Sequence, residues 1–107
     1  MSELTIKVSK FSQTPKGRYY PSDGLYTGDK FRKEYLEPNF YKYDKIIIDL
    51  DDLYGCPSSF REEAFGGLAR IYSENEVLNK VHFICTDEPP LIDDIHNDIL
   101  DANKQAS

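Results

Sequence analysis

Lys45-Ile46-Ile47-Ile48-Asp49-Leu50-Asp51-Asp52, then Leu53-Tyr54-Gly55-Cys56-Pro57-Ser58-Ser59-Phe60 and Arg61-Glu62-Glu63-Ala64-Phe65-Gly66-Gly67-Leu68, is the stretch that sets the fold class. Its first six residues are a continuous, largely β-branched run, the mark of a strand covered on both faces. Residues 51–57 read as a loop. From Ser58 or Ser59 to Tyr72 the period changes, and Phe60, Ala64, Leu68, Ile71 and Tyr72 recur at helical spacing. Downstream, Val81-His82-Phe83-Ile84-Cys85-Thr86 predicts a further strand. Pro89-Pro90 interrupts the chain, and a last helix runs from residue 91 to about 102 with Ile92, Ile95 and Ile99 inward.

Upstream, Thr5-Ile6-Lys7-Val8-Ser9-Lys10-Phe11 alternates as a half-buried strand near a sheet edge. Thr14-Pro15-Lys16-Gly17 reads as a turn, Arg18-Tyr19-Tyr20 as a short returning strand, and Pro21-Ser22-Asp23-Gly24 as a second turn. A helix capped by Asp29 or Thr27 carries Phe31, Tyr35 and Leu36 on one face, and Pro38 ends it. The order β(β)αβαβα implies an α/β domain with right-handed crossovers and a largely parallel sheet.

The chain has 107 residues, room for one domain with one core. Residues 1–3 and 104–107 read as flexible ends. Thirteen basic and nineteen acidic residues give a net charge of −6, which opposes nonspecific binding to nucleic acid or an anionic membrane. The charge is uneven: residues 1–45 carry nine basic and six acidic side chains, residues 46–107 four and thirteen. No Gly/Pro/Ser-rich linker divides the two halves, so they read as two faces of one domain. No apolar run is long enough for a membrane span, and the N-terminus does not resemble a secretory signal. Cys56 and Cys85 form neither a disulfide framework nor a metal knuckle. A reduced, cytoplasmic protein without metal or cofactor is the expectation.

Sites in parallel α/β sheets gather beyond the carboxyl ends of strands, which directs attention to residues 51–60. Ser58-Ser59 can cap the following helix, with Glu62 or Glu63 completing a capping box. Alternatively they accept a phosphate, whose charge of about −1.5 to −2 beside Glu62 and Glu63 would eject a docked partner. Gly66-Gly67 inside a helix costs about 1 kcal/mol per residue relative to alanine, which suits close approach of another backbone, internal or from a partner. Arg18 and Arg32, both near turns, pair with Asp49, Asp51 or Asp52, stand in solvent or, with Thr27-Gly28 opening a helix, hold an anion. Cys56, just before a helix, is a candidate for a lowered thiol pKa. The acidic last helix reads as a solvated face.

Asp49 to Leu53 with Ser58-Ser59 and Gly66-Gly67-Leu68 is similar to the core of STAS domains, the anti-sigma-factor antagonists. The closer resemblance is to the STAS-like domains of unassigned function, carried by Gly17-Arg18, Thr27-Gly28 with Phe31-Arg32, Asp49-Leu50-Asp51, and Ser58-Ser59-Phe60 through Gly66-Gly67-Leu68. It implies a mixed sheet of four to five strands with helices mainly on one face. It also implies a non-catalytic signalling module of bacterial type, in which phosphorylation of Ser58 or Ser59 releases a serine kinase or anti-sigma-type ATPase. Pro57 stands where the antagonists have Asp, and Phe60 where they have Gly. The expected partner surface comprises Asp51, Asp52, Tyr54, Ser58, Ser59, Phe60, Glu63, Gly66 and Gly67. Two other readings stay open. One is a nucleotide or anion sensor using Arg18, Thr27, Gly28 and Arg32. The other is a Mg²⁺-dependent phosphatase, since Asp49 and Asp51 after an apolar strand also resemble the first motif of haloacid-dehalogenase-like enzymes. Against the latter, Leu53 stands where that family has Thr, and no lysine lies between Thr86 and Asp93.

Overall fold

The computed structural model describes residues 2–104. Met1 and residues 105–107, expected in the flexible ends, lie outside the described residues. Ser2 and Glu3 are not a loose end: the Ser2 amide donates to Asp44 Oδ2 at 3.1 Å, and Glu3 opens the first strand.

Three parallel strands form the sheet: β1 (Glu3–Lys7), β2 (Lys45–Asp49) and β3 (Val81–Ile84), in the order β1-β2-β3. The register sets Leu4 and Ile6 beside Ile46 and Ile48, and these beside Val81 and Phe83. All six therefore share one face, and Ile6, Ile46, Ile48 and Val81 are buried. Thr5, Lys7, Ile47, Asp49, His82 and Ile84 alternate to the other face, where none is buried. The apolar run at Ile46-Ile47-Ile48 suggests cover on both faces, but its neighbours in register are polar outward, so the helices cover one face only.

Fewer strands form than expected. A mixed sheet of four to five is replaced by three parallel strands among the described residues. Arg18-Tyr19-Tyr20 does not join it, because local carboxylates take the amide protons a ladder would need. Asp23 accepts from the Arg18 and Tyr19 amides, and Asp29 from the Tyr20 amide. The first strand is also shorter than its alternation suggested. After Lys7 a single helical turn, α1 (Val8–Phe11), turns Val8 and Phe11 into the core.

Two helices cross the buried face, and each contains a widened π turn. The first starts as α2 (Gly28–Phe31), passes through a π segment (Arg32–Leu36) and ends in a 3₁₀ turn (Glu37–Asn39) that contains Pro38. The second runs from α3 (Ser58–Arg61) through a π segment (Glu62–Gly66) into α4 (Gly67–Tyr72). The π segment delays the inward face by one residue. Leu68, Ala69 and Tyr72 therefore point in, Tyr72 stacking on Phe40 at 4.0 Å between ring centroids, while Ile71, expected inward, is exposed. A short helix absent from the sequence reading, α5 (Glu74–Lys80), follows; Ser73 caps it, accepting from the Glu76 amide at 3.3 Å. Finally α6 (Pro90–Asp101) buries Leu91, Ile95 and Ile99. One continuous apolar cluster joins these helices to the sheet.

Candidate functional site

Beyond the carboxyl ends of the strands, Asp51 locks two loops together. Its carboxylate accepts from the Thr86 amide (2.7 Å), the Thr86 hydroxyl (2.8 Å) and the Asp87 amide (2.9 Å). Hydrogen bonds from Asp87 and Thr86 outweigh a smaller burial effect and hold this carboxyl below its ordinary range. Asp52 follows in the left-handed region at φ 68°, with its amide donating to Asp87 Oδ2 at 2.9 Å. That turn delivers its carboxylate to Lys7 Nζ at 2.8 Å, and Lys7 lies 3.6 Å from Asp49. The bond to Asp52 is the main reason the Lys7 ammonium is held above its usual pKa. An open groove of about 500 Å³ runs beside these groups, with Ser9, Gln13 and Tyr54 on its walls. Among the described residues, no group of three or more His, Cys, Asp or Glu side chains is arranged to hold a metal ion.

Tyr54 projects from this loop with 79 % of its surface exposed, while its amide is fixed to the Gln13 carbonyl at 2.9 Å. The next residues turn toward the second helix. Cys56 is largely enclosed, and burial pushes its thiol up to about 12 against a smaller lowering by Arg61, the opposite of the lowering for which its place before a helix made it a candidate. Burial raises the Cys85 thiol as well. Pro57 occupies the cap position at φ −60° and ψ 150°, and its carbonyl accepts from the Arg61 amide at 3.1 Å. Ser58 is therefore the first helical residue rather than the cap. Neither serine caps the helix; Ser58 is exposed and Ser59 half-buried.

Four residues assigned to the partner surface are inside the protein. Phe60 is fully buried, with its ring between 5.8 and 6.4 Å from those of Phe31 and Phe11. Glu63, Gly66 and Gly67 are buried within and just after the π segment. What fills the space above the glycines is charge. Arg32, only 8 % exposed, donates through Nη1 to the Glu63 carbonyl (2.5 Å) and to Glu63 Oε2 (2.8 Å), and through Nε to Glu37 (2.9 Å). A Cβ on Gly67 would stand 2.4 Å from that Nη1, so the glycine makes room for the guanidinium. Glu62, 7 % exposed, accepts from Arg18 (2.5 Å) and from both terminal nitrogens of Arg70 (2.7 and 3.2 Å). Burial drives its pKa upward, but the bonds from Arg70 and Arg18 outweigh that and leave it below the ordinary glutamate value.

The residues expected to hold an anion are committed elsewhere. Arg18 and Arg32 face Glu62 and Glu63 rather than the expected Asp49, Asp51 or Asp52, which are taken up by Lys7 and by Thr86 and Asp87. The Thr27 hydroxyl donates to Asp29 at 2.6 Å, and the Gly28 amide to the Gly17 carbonyl at 2.9 Å. A Cβ on Gly28 would meet the Phe60 carbonyl at 2.5 Å, so this glycine permits two helices to touch backbone to backbone. No free guanidinium remains there for a phosphate.

Sequence reading missed Glu37, Glu62 and Arg70 as members of this network, and missed Arg61, which reaches Asp98 on α6 at 2.7 Å. A signal was present. Glu62 and Glu63 sit between Phe60 and Ala64-Phe65, and carboxylates flanked by core residues on one helix must find buried cations.

A family model described as a STAS-like domain of unknown function (DUF4325) matches residues 27–90. The chain belongs to this family. No curated protein and no solved structure matches it. The matched span opens at the cap of α2 and closes at the start of α6, so it takes in β2, β3, the loop between β2 and α3, and both π-containing helices. Within this STAS-like domain, Arg32, Glu37, Glu62, Glu63, Gly67 and Arg70 all fall inside the match, while Lys7 and Arg18 lie before it. No helix among the described residues is long and apolar enough to cross a membrane.

Proposed function

We propose that this STAS-like domain is a non-catalytic protein-interaction module that grips its partner with the exposed part of the β2–α3 loop. Asp51, Asp52, Tyr54, Ser58 and Ser59 form that surface, without the buried Phe60, Glu63, Gly66 and Gly67. The observation that carries the reading is a pair: a tyrosine held outward on a fixed backbone, and a serine hydroxyl at the start of a helix that capping does not use. Exposed, preorganised tyrosines are typical interface anchors. Phosphorylation of Ser58 by a serine kinase or anti-sigma-type ATPase would add about −1.5 to −2 charges at the exposed start of α3 and break the dock.

The sensor reading is weakened because Arg18 and Arg32 already face Glu62 and Glu63. The phosphatase reading asks Asp51 to donate a proton, yet that carboxyl is held in its ionised form by Asp87 and Thr86.

Titration calorimetry of the domain against a serine kinase encoded beside it tests the proposal. Tyr54→Ala should weaken binding by about thirtyfold, the scale of an aromatic hot spot, and Ser58→Asp should weaken it comparably. With ATP, intact mass should report one added phosphate, absent in Ser58→Ala. Binding that survives both Tyr54→Ala and Ser58→Asp would refute the loop as the docking surface.

A further inference from the structure

The sheet ends in an open edge at β1, which has β2 on one side and no strand on the other. The Lys45 amide donates to the Ser2 carbonyl at 3.2 Å, so in the parallel ladder the even-numbered residues of β1 turn their main chain toward β2. Glu3, Thr5 and Lys7 therefore turn theirs outward. Among the described residues no hydrogen bond reaches the main chain of Glu3 or Thr5, or the Lys7 amide. Glu3 and Thr5 are exposed, and Leu4 is half-buried at the margin of the core. Lys7 keeps extended geometry, φ −96° and ψ 112°, up to the start of α1. The β3 edge differs. There the Leu50 amide donates to the Ile84 carbonyl at 2.8 Å, so Val81, Phe83 and Cys85 turn outward, and Val81 and Cys85 are buried.

The open strand is complementary to itself. Turned antiparallel about Thr5, Glu3-Leu4-Thr5-Ile6-Lys7 sets Glu3 opposite Lys7, Leu4 opposite Ile6 and Thr5 opposite Thr5 of a second copy. The two Thr5 residues then exchange both their main-chain bonds, and each Lys7 amide donates to the other copy's Glu3 carbonyl. Leu4 and Ile6 stay on the helix-covered face, and Glu3, Thr5 and Lys7 on the open one. The ladder extends the match. Glu3 lies beside Lys45 and Lys7 beside Asp49, so each charged row across the joined sheets reads Asp49, Lys7, Glu3, Lys45, alternating in sign. Opposite charges and threonine pairs stabilise when they face one another across strands, and a slip of one residue would turn Leu4 and Ile6 to the open face. Asp52, which also reaches Lys7 at 2.8 Å, and Asp44, bonded to the Ser2 amide, lie beyond the ends of the strand. The net charge of −6 sits elsewhere: residues 81–103 hold six acids and no Lys or Arg, leaving thirteen of each sign in the rest of the chain. Those residues form β3, at the opposite edge, and α6, which meets it through His96 and Phe83.

We propose that β1 pairs antiparallel with β1 of a second copy of this chain, joining two three-stranded sheets into one about a two-fold axis. Such a contact uses the same surface twice and leaves neither β1 edge unpaired. A strand of another protein can add to an open edge as well, but the match of Glu3 to Lys7 through a common centre selects the chain's own copy. The contact uses neither Tyr54 nor Ser58, and either reading can fail without the other.

Sedimentation velocity of the full chain over a concentration series tests the proposal; a dimer that grows with concentration is expected. Glu3→Lys and Lys7→Glu should each weaken it about tenfold, because each sets like charges opposite one another at both ends of the strand. Mixed in equal amounts, the two variants should associate as the natural chain does, each supplying the sign the other has lost. Thr5→Pro removes an outward amide while sparing the bonds to β2, so it should give a monomer with unchanged circular dichroism. Tyr54→Ala should dimerise normally. In a mixture of labelled and unlabelled chains, isotope-filtered spectra should connect Leu4 of one copy with Ile6 of the other. Should Lys7→Glu unfold beside Asp49 and Asp52, Glu3→Lys and Thr5→Pro still decide. A monomer at every concentration, a dimer that survives Thr5→Pro or Glu3→Lys, or folded charge variants that stay apart when mixed would overturn the proposal. So would a dimer lost in Tyr54→Ala or lacking the Leu4–Ile6 connection.

Discussion

Replacing Gly67 by alanine tests whether the buried network or the helix backbone governs this region. The added methyl carbon would lie 2.4 Å from Arg32 Nη1 and 3.2 Å from its Cζ, so the guanidinium must leave. It then abandons the Glu63 carboxylate at 2.8 Å and the Glu63 carbonyl at 2.5 Å, both in the interior. Breaking a buried ion pair costs about 3–5 kcal/mol, and alanine returns about 1 kcal/mol of helix propensity, leaving a net loss of about 2–4 kcal/mol. In a domain of this length that lowers the thermal midpoint by about 10–20 °C. Urea unfolding followed by far-ultraviolet circular dichroism measures it. The control is Gly67→Ala in a chain already carrying Arg32→Ala and Glu63→Gln. With no guanidinium above position 67, the methyl group should now stabilise by about 1 kcal/mol. Equal effects in the two backgrounds, or stabilisation in the natural one, would refute the view that glycine is present to admit Arg32.

Gly28→Ala should destabilise more than Gly67→Ala and find no rescue at Arg32, because its methyl group would meet main chain, the Phe60 carbonyl at 2.5 Å and the Ala64 nitrogen at 3.0 Å; the same urea titrations decide it. Acid should weaken the fold through Glu62. Its folded pKa lies below the ordinary 4.5, so its contribution is full above that value and is lost as pH falls through the lower folded one. Asp51 acts in the same sense, whereas burial raises Asp98, which favours the folded state once protonated. Thermal midpoints taken from neutral pH downward should fall, and Glu62→Gln should flatten the slope. The Cys56 thiol, pushed to about 12, should react with iodoacetamide at mildly alkaline pH about a thousandfold more slowly than in the denatured chain, as timed mass spectrometry would show.

Elements with a strong period were legible in the sequence. The Ile46-Ile47-Ile48 strand, the helix beginning at Ser58 and the amphipathic last helix stand where their patterns put them, although Leu91 rather than the expected Ile92 joins Ile95 and Ile99 in the core and Ile92 is half-buried. Arg18-Tyr19-Tyr20 misled because β propensity is local, while the Asp23 and Asp29 carboxylates that claim its amides act across a turn. The site was half legible. Tyr54 and Ser58 lie on the surface as read, but Gly66 faces Glu62 and Gly67 faces an arginine from another helix, and spacing alone does not reveal such partners. The π segments were invisible for a related reason: they depend on what fills the widened turn, and that filler comes from another part of the chain.

Since β2 has a neighbour on each side and β1 and β3 each have only one, the three strands will not share protection from solvent deuterium equally. Amides along the outer margins of β1 and β3 can trade protons through small local excursions. Those of β2 must await disruption of the whole ladder. The slowest of them should therefore report the free energy of complete unfolding, and the difference between central and marginal rates would gauge how much each flank can loosen while the fold persists.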